Sequence, residues 1–344
     1  VFESLKLQIL PKDAVPVTKW DNEDDAYLDI ISSVREMLER HPKLVSPKIE
    51  QSTLWQERID VNFKQRLLDT EVQFSHRGKK DFVLTDLYVF PDLRIVKKSV
   101  DNVAATINSI KLTGSVNSPA IILGDEQSGK TALIKMLYLN AISDGQSPLM
   151  LNGEDCKKGQ FRKTVEKAVN SQYNNIKGYM EYSGNVGKIL FIDDYCNSGL
   201  SGSDLNSWPQ ECIRFFDKVF IFASSTFEYV ARELPIFDQY NWFQIVPFNN
   251  SKRIEVVHRW LKAGNENVVE DESFYTEVDS LKSHLDVFIK RNNVPPRPLF
   301  ILILLQTVET VTPQRLEMTS YGYCYQSLIY QTVQRASIRS KEID

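Results

Sequence analysis

Residues Ser118–Tyr138 read SPAIILGDEQSGKTALIKMLY. Four apolar residues, Ala120 to Leu123, read as a short buried strand. Gly124 follows, then Asp125, Glu126, Gln127 and Ser128, then Gly129-Lys130-Thr131 and a helix-forming run from Ala132. The spacing is G-x-x-x-x-G-K-[ST], set between a strand and a helix. Each residue type has a physical reason. The glycines let backbone N–H groups turn toward phosphate oxygens, and the helix N-terminus adds a field that favours anions. Lys130 reaches the β and γ phosphates, and the Thr131 hydroxyl is placed for a magnesium ion. Gly124 through Ala132 are therefore the candidate phosphate-binding residues.

A second motif completes the first. Ile189-Leu190-Phe191-Ile192-Asp193-Asp194 is an apolar run ending in two acids. A strand buried on both faces reads as such a run, and an acid at its carboxyl end points into the crevice where open α/β sheets bind ligands. Asp193 is the candidate partner of Thr131 in holding Mg²⁺. Asp194 either orients the attacking water or serves as a supporting carboxylate or helix N-cap. Lys130, Asp193 and Asp194 are the candidate catalytic residues. The two motifs together resemble the Walker A and Walker B elements of P-loop NTPases.

Around them the pattern alternates strand and helix, as in a parallel α/β sheet. The expected strands are 120–123, 148–152, 188–193, 218–224 and 243–246, with helices from Lys130, over 161–173, over 204–217 across Pro209, and over 227–233. The fourth strand ends in Ala223-Ser224-Ser225-Thr226. In the AAA+ and STAND branches of P-loop proteins this strand carries a polar sensor, so Ser225 and Thr226 resemble that sensor; a polar cap on the next helix is the other reading. The arginine that many STAND proteins carry here has no counterpart. The N/T-K-x-D pattern that reads guanine occurs only at Thr18-Lys19-Trp20-Asp21, before the loop, so adenine is the expected base.

The chain has 344 residues and a formal net charge of −4, which gives no direct reason to expect a nucleic-acid partner. Its four cysteines and four histidines are scattered without metal-ligand spacing, so free thiols in a reducing cytoplasm are expected. No stretch reads as a signal peptide or membrane span, and Leu299–Leu305 is far too short to cross a bilayer. The chain opens on Val1 rather than a methionine, as a fragment is expected to.

Ahead of the loop, Val1–Leu10 alternates like a strand, and Trp20 to Arg40 reads as a helix with an acidic first turn. The stretch LQILPKDAVPVTKWDNEDDAYLDIISSVREML resembles the last strand and helix of bacterial TIR domains, through Pro16, Trp20, Asp25-Ala26 and the Ile30 and Val34 face. The catalytic glutamate of NAD-cleaving TIR domains would precede Val1, so no NADase activity is assigned. Pro47–Val72 is expected to be one long connecting helix, and Phe82–Val96 an extended segment against the nucleotide domain. His76-Arg77-Gly78-Lys79-Lys80 reads as a solvated basic turn.

After the last strand, Ser251–Lys262 reads as an amphipathic helix capped by Ser251, with Ile254, Val257, Trp260 and Leu261 on one face. Another helix is expected over Asp279–Arg291, then the proline run VPPRP, the apolar helix LFILILLQTV, and a last helix over Ser320–Ser337. This order resembles the STAND class, NACHT-like members in particular, over about Asp81 to Arg335. In that class a helical lid places a proline on the adenine, and Pro298 best matches it; a helix-start proline is the other reading. The histidine that clasps ADP in many STAND proteins has no counterpart. Arg253 and Arg297 could reach phosphate, but a place at the surface is expected for both.

The expected fold is therefore α/β, a P-loop NTPase with a parallel five-stranded sheet in AAA+/STAND-like order, a helical lid after it, and a partial α/β and helical linker before it. The expected units are 1–42 (tail of a TIR-like effector), 43–97 (linker), 98–248 (nucleotide-binding) and 249–344 (lid). The resemblance implies an ATP/ADP- and Mg²⁺-binding switch with slow ATPase activity, self-associating when activated, in a bacterial TIR-linked defence sensor whose trigger the sequence does not give. A constitutive AAA+ motor and an adaptor with structural ADP are the alternatives. If Lys130 holds the phosphates, Lys130→Ala abolishes ADP and ATP binding in isothermal titration; undiminished affinity contradicts the loop assignment.

Overall fold

The computed structural model describes residues 57–96, 105–116, 119–174, 176, 178–264, 269–291 and 294–310, with Thr18 on its own. The TIR-like stretch, the N-terminal strand and helix, and the helix expected over Ser320–Ser337 lie outside these residues.

The chain enters through α1 (Val61–Leu68) and the single-turn helix α2 (Leu84–Leu87), then forms β1 (Asp92–Ile95) and β2 (Thr106–Asn108), with a short turn of helix, α3 (Leu112–Ser115), before the next strand. The P-loop follows β3 (Ala120–Leu123) and opens α4 (Lys130–Ser143). Then come β4 (Ser147–Asn152), α5 (Phe161–Gln172), α6 (Gly178–Ser183), β5 (Lys188–Asp193), α7 (Asp204–Phe215), β6 (Lys218–Ala223), α8 (Phe227–Ala231) and β7 (Asn241–Ile245). Three helices close the described chain: α9 (Asn250–Lys262), α10 (Glu272–Arg291) and α11 (Pro298–Thr310).

The sheet has seven strands in the order β2-β1-β7-β3-β6-β5-β4. From β7 through β4 neighbouring strands run parallel, whereas β1 runs antiparallel to both β7 and β2. The sheet is therefore mixed and larger than the all-parallel, five-stranded one expected. The added strand β1 comes from the segment expected to be linker. β1 lies between β2 and β7, and Leu93 secures it: it pairs with Ile107 on one side and Ile245 on the other and is fully buried.

The central strands explain their own burial. Ala120–Leu123, Ile189–Asp193 and Val219–Ala223 are buried residue after residue, because helices cover both faces of a parallel sheet. Phe191 and Phe220 stack across the β5–β6 pair at 5.5 Å. The apolar core divides in two. One cluster surrounds the sheet; the other lies in the lid and is built on Val257, Trp260, Phe300, Ile301 and Leu305.

The segment before the P-loop feeds both clusters. Ile59, Phe63 and Leu67 join the sheet core, while Phe74, Leu87 and Val89 join the lid core. Phe82 stacks on Trp260 at 5.9 Å with the rings 10° from coplanar. The long helix expected over Pro47–Val72 is broken among the described residues: Glu57 and Arg58 are helical, Ile59 and Asp60 are not, and α1 follows. Asp60 caps its start by accepting from Phe63 N at 3.0 Å. Bridges Ile59↔Tyr173 and Asp69↔Val83 bound it on either side, and Glu71 adopts a left-handed φ of 61° beyond it. Tertiary pairing overrides helix propensity there. The expected extended run Phe82–Val96 turns into α2 before it becomes β1. The basic turn is neutralised: Arg77 pairs with Glu277 and Lys79 with Asp86.

Two lid boundaries also differ from expectation, both through side-chain caps. Asn249, not Ser251, caps α9 by accepting from Lys252 N at 3.0 Å. Asp271 accepts from Phe274 N at 2.9 Å, which starts α10 at Glu272. If β1 is an integral strand, Leu93→Ala lowers unfolding free energy in urea by about 2–5 kcal/mol. A change below about 0.5 kcal/mol would place the strand outside the cooperative core.

Candidate functional site

The P-loop sits where β3 ends and α4 begins. Gly124 N donates to Ala223 O at 3.0 Å, fixing the start of the loop to the end of β6. A Cβ on Gly124 would strike the Ser128 hydroxyl and stand 3.1 Å from both Ile245 Cδ1 and Lys130 Cγ, so the first glycine is required by close approach. Gly129, at φ +89°, is the N-cap of α4, a conformation that side chains resist. Gln127 also has positive φ, 60°. Lys130 curls over the loop it follows, donating from Nζ to Gly124 O at 3.0 Å and Asp125 O at 3.2 Å.

Beneath the loop, Thr131 Oγ1 donates to Asp193 Oδ2 at 2.6 Å. The other Asp193 oxygen accepts from Asp194 N at 3.1 Å. Burial at the end of β5 holds the Asp193 carboxyl above the usual carboxylate range; the Thr131 hydrogen bond pulls it back, the Asp194 charge pushes it up, and Lys130 pulls it down. Asp194 has a left-handed backbone, φ 46° and ψ 47°, and sits at the N-cap of the short turn Tyr195–Asn197 without a side-chain cap bond. The capping reading of its side chain thus fails, and Asp194 lines the cavity beside the loop. Gly153, at the end of β4, packs against this strained turn; a Cβ there would run into the Asp194 carbonyl.

That cavity measures about 430 Å³, within the range of small-molecule sites. Glu126 through Ala132 and Asp194 form its polar side. Its apolar side comes from Leu84, Leu87, Tyr88 and Val89 before the sheet, and from Phe248, Val256, Pro298, Leu299 and Leu302 after it. Pro298 Cγ lies 3.9 Å from where a Cβ on Gly129 would stand, so the lid proline faces the phosphate loop across the cavity that both line. The buried oxygens Tyr88 Oη, Gln127 Oε1 and Ser128 Oγ lack hydrogen-bond partners among the described residues. Buried polar atoms are seldom left so, and all three residues line this cavity.

The residues present fit a nucleotide with Mg²⁺. The loop supplies N–H groups, a lysine and a glycine-shaped cradle. Thr131 and Asp193 supply adjacent hard oxygens, as suits a cation that takes few protein ligands and completes its shell with phosphate and water.

The remaining candidates separate. Ser225 Oγ donates to Asp125 Oδ1 at 2.6 Å, so it faces the P-loop. Thr226 shares a 2.6 Å hydrogen bond with the Ser224 hydroxyl. Arg253 braces the lid by donating to Asp286 at 2.8 Å and to Phe248 O at 3.0 Å. Arg297, expected at the surface, instead reaches across to the loop: Nη2 donates to Asp125 Oδ2 at 3.1 Å and Nη1 to Glu126 O. Sequence reasoning also missed Leu84, Leu87 and Tyr88 as cavity wall. Their apolar run gave a signal for packing, but none for a ligand.

No protein-family model matches the chain, and no curated protein matches it. Among solved structures, it is similar to domain III of the Thermotoga maritima replication initiation protein DnaA, with 13% identity and a TM-score of 0.40, covering 65% of this chain and 89% of that one. It is also similar to Hsp104 in the S. cerevisiae Hsp104:casein complex, with 12% identity and a TM-score of 0.35, covering 69% of this chain and 37% of that one. Likenesses of this size carry no weight for the chemistry, which rests on the geometry above.

The Gly153 contact yields a test. If the site hydrolyses a nucleotide with Asp194 at the reacting water, Gly153→Ala, which must displace the Asp194 turn, lowers turnover about tenfold or more while ADP affinity holds within about threefold. Single-turnover kinetics alongside titration separates the two. Unchanged turnover would detach Asp194 from the chemistry.

Proposed function

We propose that this chain is an ATP/ADP-binding, slowly hydrolysing NTPase of STAND type, in which the nucleotide controls the position of a helical lid. One observation carries this reading: Arg297 meets the P-loop directly, Pro298 faces it from the start of α11, and the same cavity continues between loop and lid. A lid that touches the phosphate loop contacts diphosphate and triphosphate differently, and only such a difference lets a ligand shift an equilibrium.

In this reading the loop N–H groups and Lys130 position the phosphates. Thr131 and Asp193 hold Mg²⁺, which when bound neutralises phosphate charge. Asp194, on its strained turn, orients the attacking water and accepts its proton. Leu84, Leu87, Tyr88, Pro298 and Leu302 enclose the base, with adenine preferred. Catalysis then rests on positioning and charge neutralisation. The N-terminal resemblance to the end of a TIR domain supports a role for such a switch in a bacterial defence sensor that self-associates when triggered. Among the described residues no helix is long and apolar enough to cross a membrane.

The deciding experiment denatures the purified protein and identifies released nucleotide by chromatography. Stoichiometric ADP is expected. No bound nucleotide, with fast turnover rising with protein concentration, favours a constitutive motor; ADP that never exchanges favours a structural role. Asp194→Asn is expected to keep ADP affinity and slow turnover about 100-fold, and wild-type turnover in that variant removes Asp194 from the mechanism.

A further inference from the structure

Asp125 is the first variable residue of the P-loop, and its carboxylate joins three parts of the molecule. One oxygen accepts from Ser225, just beyond β6, at 2.6 Å. The other accepts from Arg297, just before α11, at 3.1 Å. Arg297 also donates to the Glu126 carbonyl, so one guanidinium grips both residues of the Asp125-Glu126 step. The Arg297 side chain is only 20% exposed, held between lid and loop.

The same turn is where a third phosphate would arrive. Lys130 Nζ stands 3.0 Å from Gly124 O and 3.2 Å from Asp125 O, and a P-loop lysine serves the β and γ phosphates. Lys130, Ser225 and Arg297 thus converge on one small region, and the Asp125 carboxylate engages two of these three donors, its carbonyl the third. A further anion drawn to these donors meets a carboxylate already bound to them. Like charges a few ångströms apart repel, here partly damped by water because the Asp125 side chain is 56% exposed.

We propose that Asp125 is an internal anion that competes with the terminal phosphate for Ser225 and Arg297, and so sets the preference of the site for nucleoside diphosphate over triphosphate. This rests on the nucleotide reading above. A diphosphate leaves the Ser225–Asp125–Arg297 bridge intact and the lid tied to the loop. A triphosphate displaces the carboxylate, and both the β6 end and the lid lose their tie to Asp125. The residue that sets the preference is then also the residue that reports the third phosphate to the lid.

The test is Asp125→Asn, which keeps the shape and an acceptor for Ser225 but removes the charge. Titration calorimetry with Mg²⁺ gives Kd for ADP and for a non-hydrolysable ATP analogue in wild type and variant. The ratio of the two is expected to move toward the triphosphate by about tenfold, chiefly through tighter binding of the analogue. Arg297→Ala is expected to weaken the analogue more than ADP, which a role in bracing the lid alone does not produce. Equal changes in both Kd values, or none, overturn the competition. If wild-type protein binds neither nucleotide, the nucleotide reading falls and takes this proposal with it. If wild type binds both and the ratio is unmoved in Asp125→Asn, this proposal falls alone.

Discussion

The site depends on the parallel register of β3, β6 and β5. Leu123 lies opposite Ala223, and Ile192 opposite Ile221, so the three strands end together at one edge of the sheet. That shared edge brings Thr131, at the start of α4, to the buried Asp193 at the end of β5. It also sets the Gly124 N–H on the Ala223 carbonyl and places Ser225 within reach of the loop. A one-residue slip of β5 would turn Asp193 to the other face of the sheet and break the Thr131 contact. The continuous apolar runs of these strands stabilise that register by burying both faces, while the polar residues at their ends are released into the crevice.

The lid attaches to this edge by two unlike interactions. One is apolar: Trp260, Phe300 and Leu305 pack with Phe74, Leu87 and Val89. The other is polar and local, the Arg297 contacts to Asp125 and Glu126. Non-directional apolar packing sets how firmly the lid is held. The charge-assisted contact is directional, and on the proposed reading it is the one that responds to what occupies the loop. Such a division suits an element that must stay attached while its angle changes.

Local chemistry decided how much of this was legible. The P-loop, the strand at 120–123, the start of α4 and the strand at 188–193 read directly from sequence, because an apolar run followed by fixed glycines or acids has few other uses. β1 was not legible as part of the sheet: it has four residues, and only its pairing with β2 and β7 makes Leu93 a core residue. Asp60, Asn249 and Asp271 reset helix starts through caps that propensity alone ranks weakly. Arg297 was unreadable for a different reason. Its partner Asp125 lies 172 residues away, and nothing near Arg297 distinguishes an arginine bound for solvent from one bound for the loop.

The cavity wall has a consequence for the coupling of base and lid. Its apolar side draws on two remote segments, Leu84–Val89 before the sheet and Pro298–Leu302 after it, while the phosphate side belongs to β3 and α4. Leu87 and Val89 are also members of the lid core. Forming the base pocket and folding the lid against its support are therefore one packing event. A base that fills the pocket stabilises the docked lid by the apolar surface it covers, and linkage requires the docked lid to hold the base more tightly in return. On the proposed reading phosphates would act at the opposite wall of the cavity, through Lys130, Asp125 and Arg297. Base and phosphates would then bias one element through separate contacts, so that a single nucleotide holds the lid by one end while its phosphate count adjusts the other.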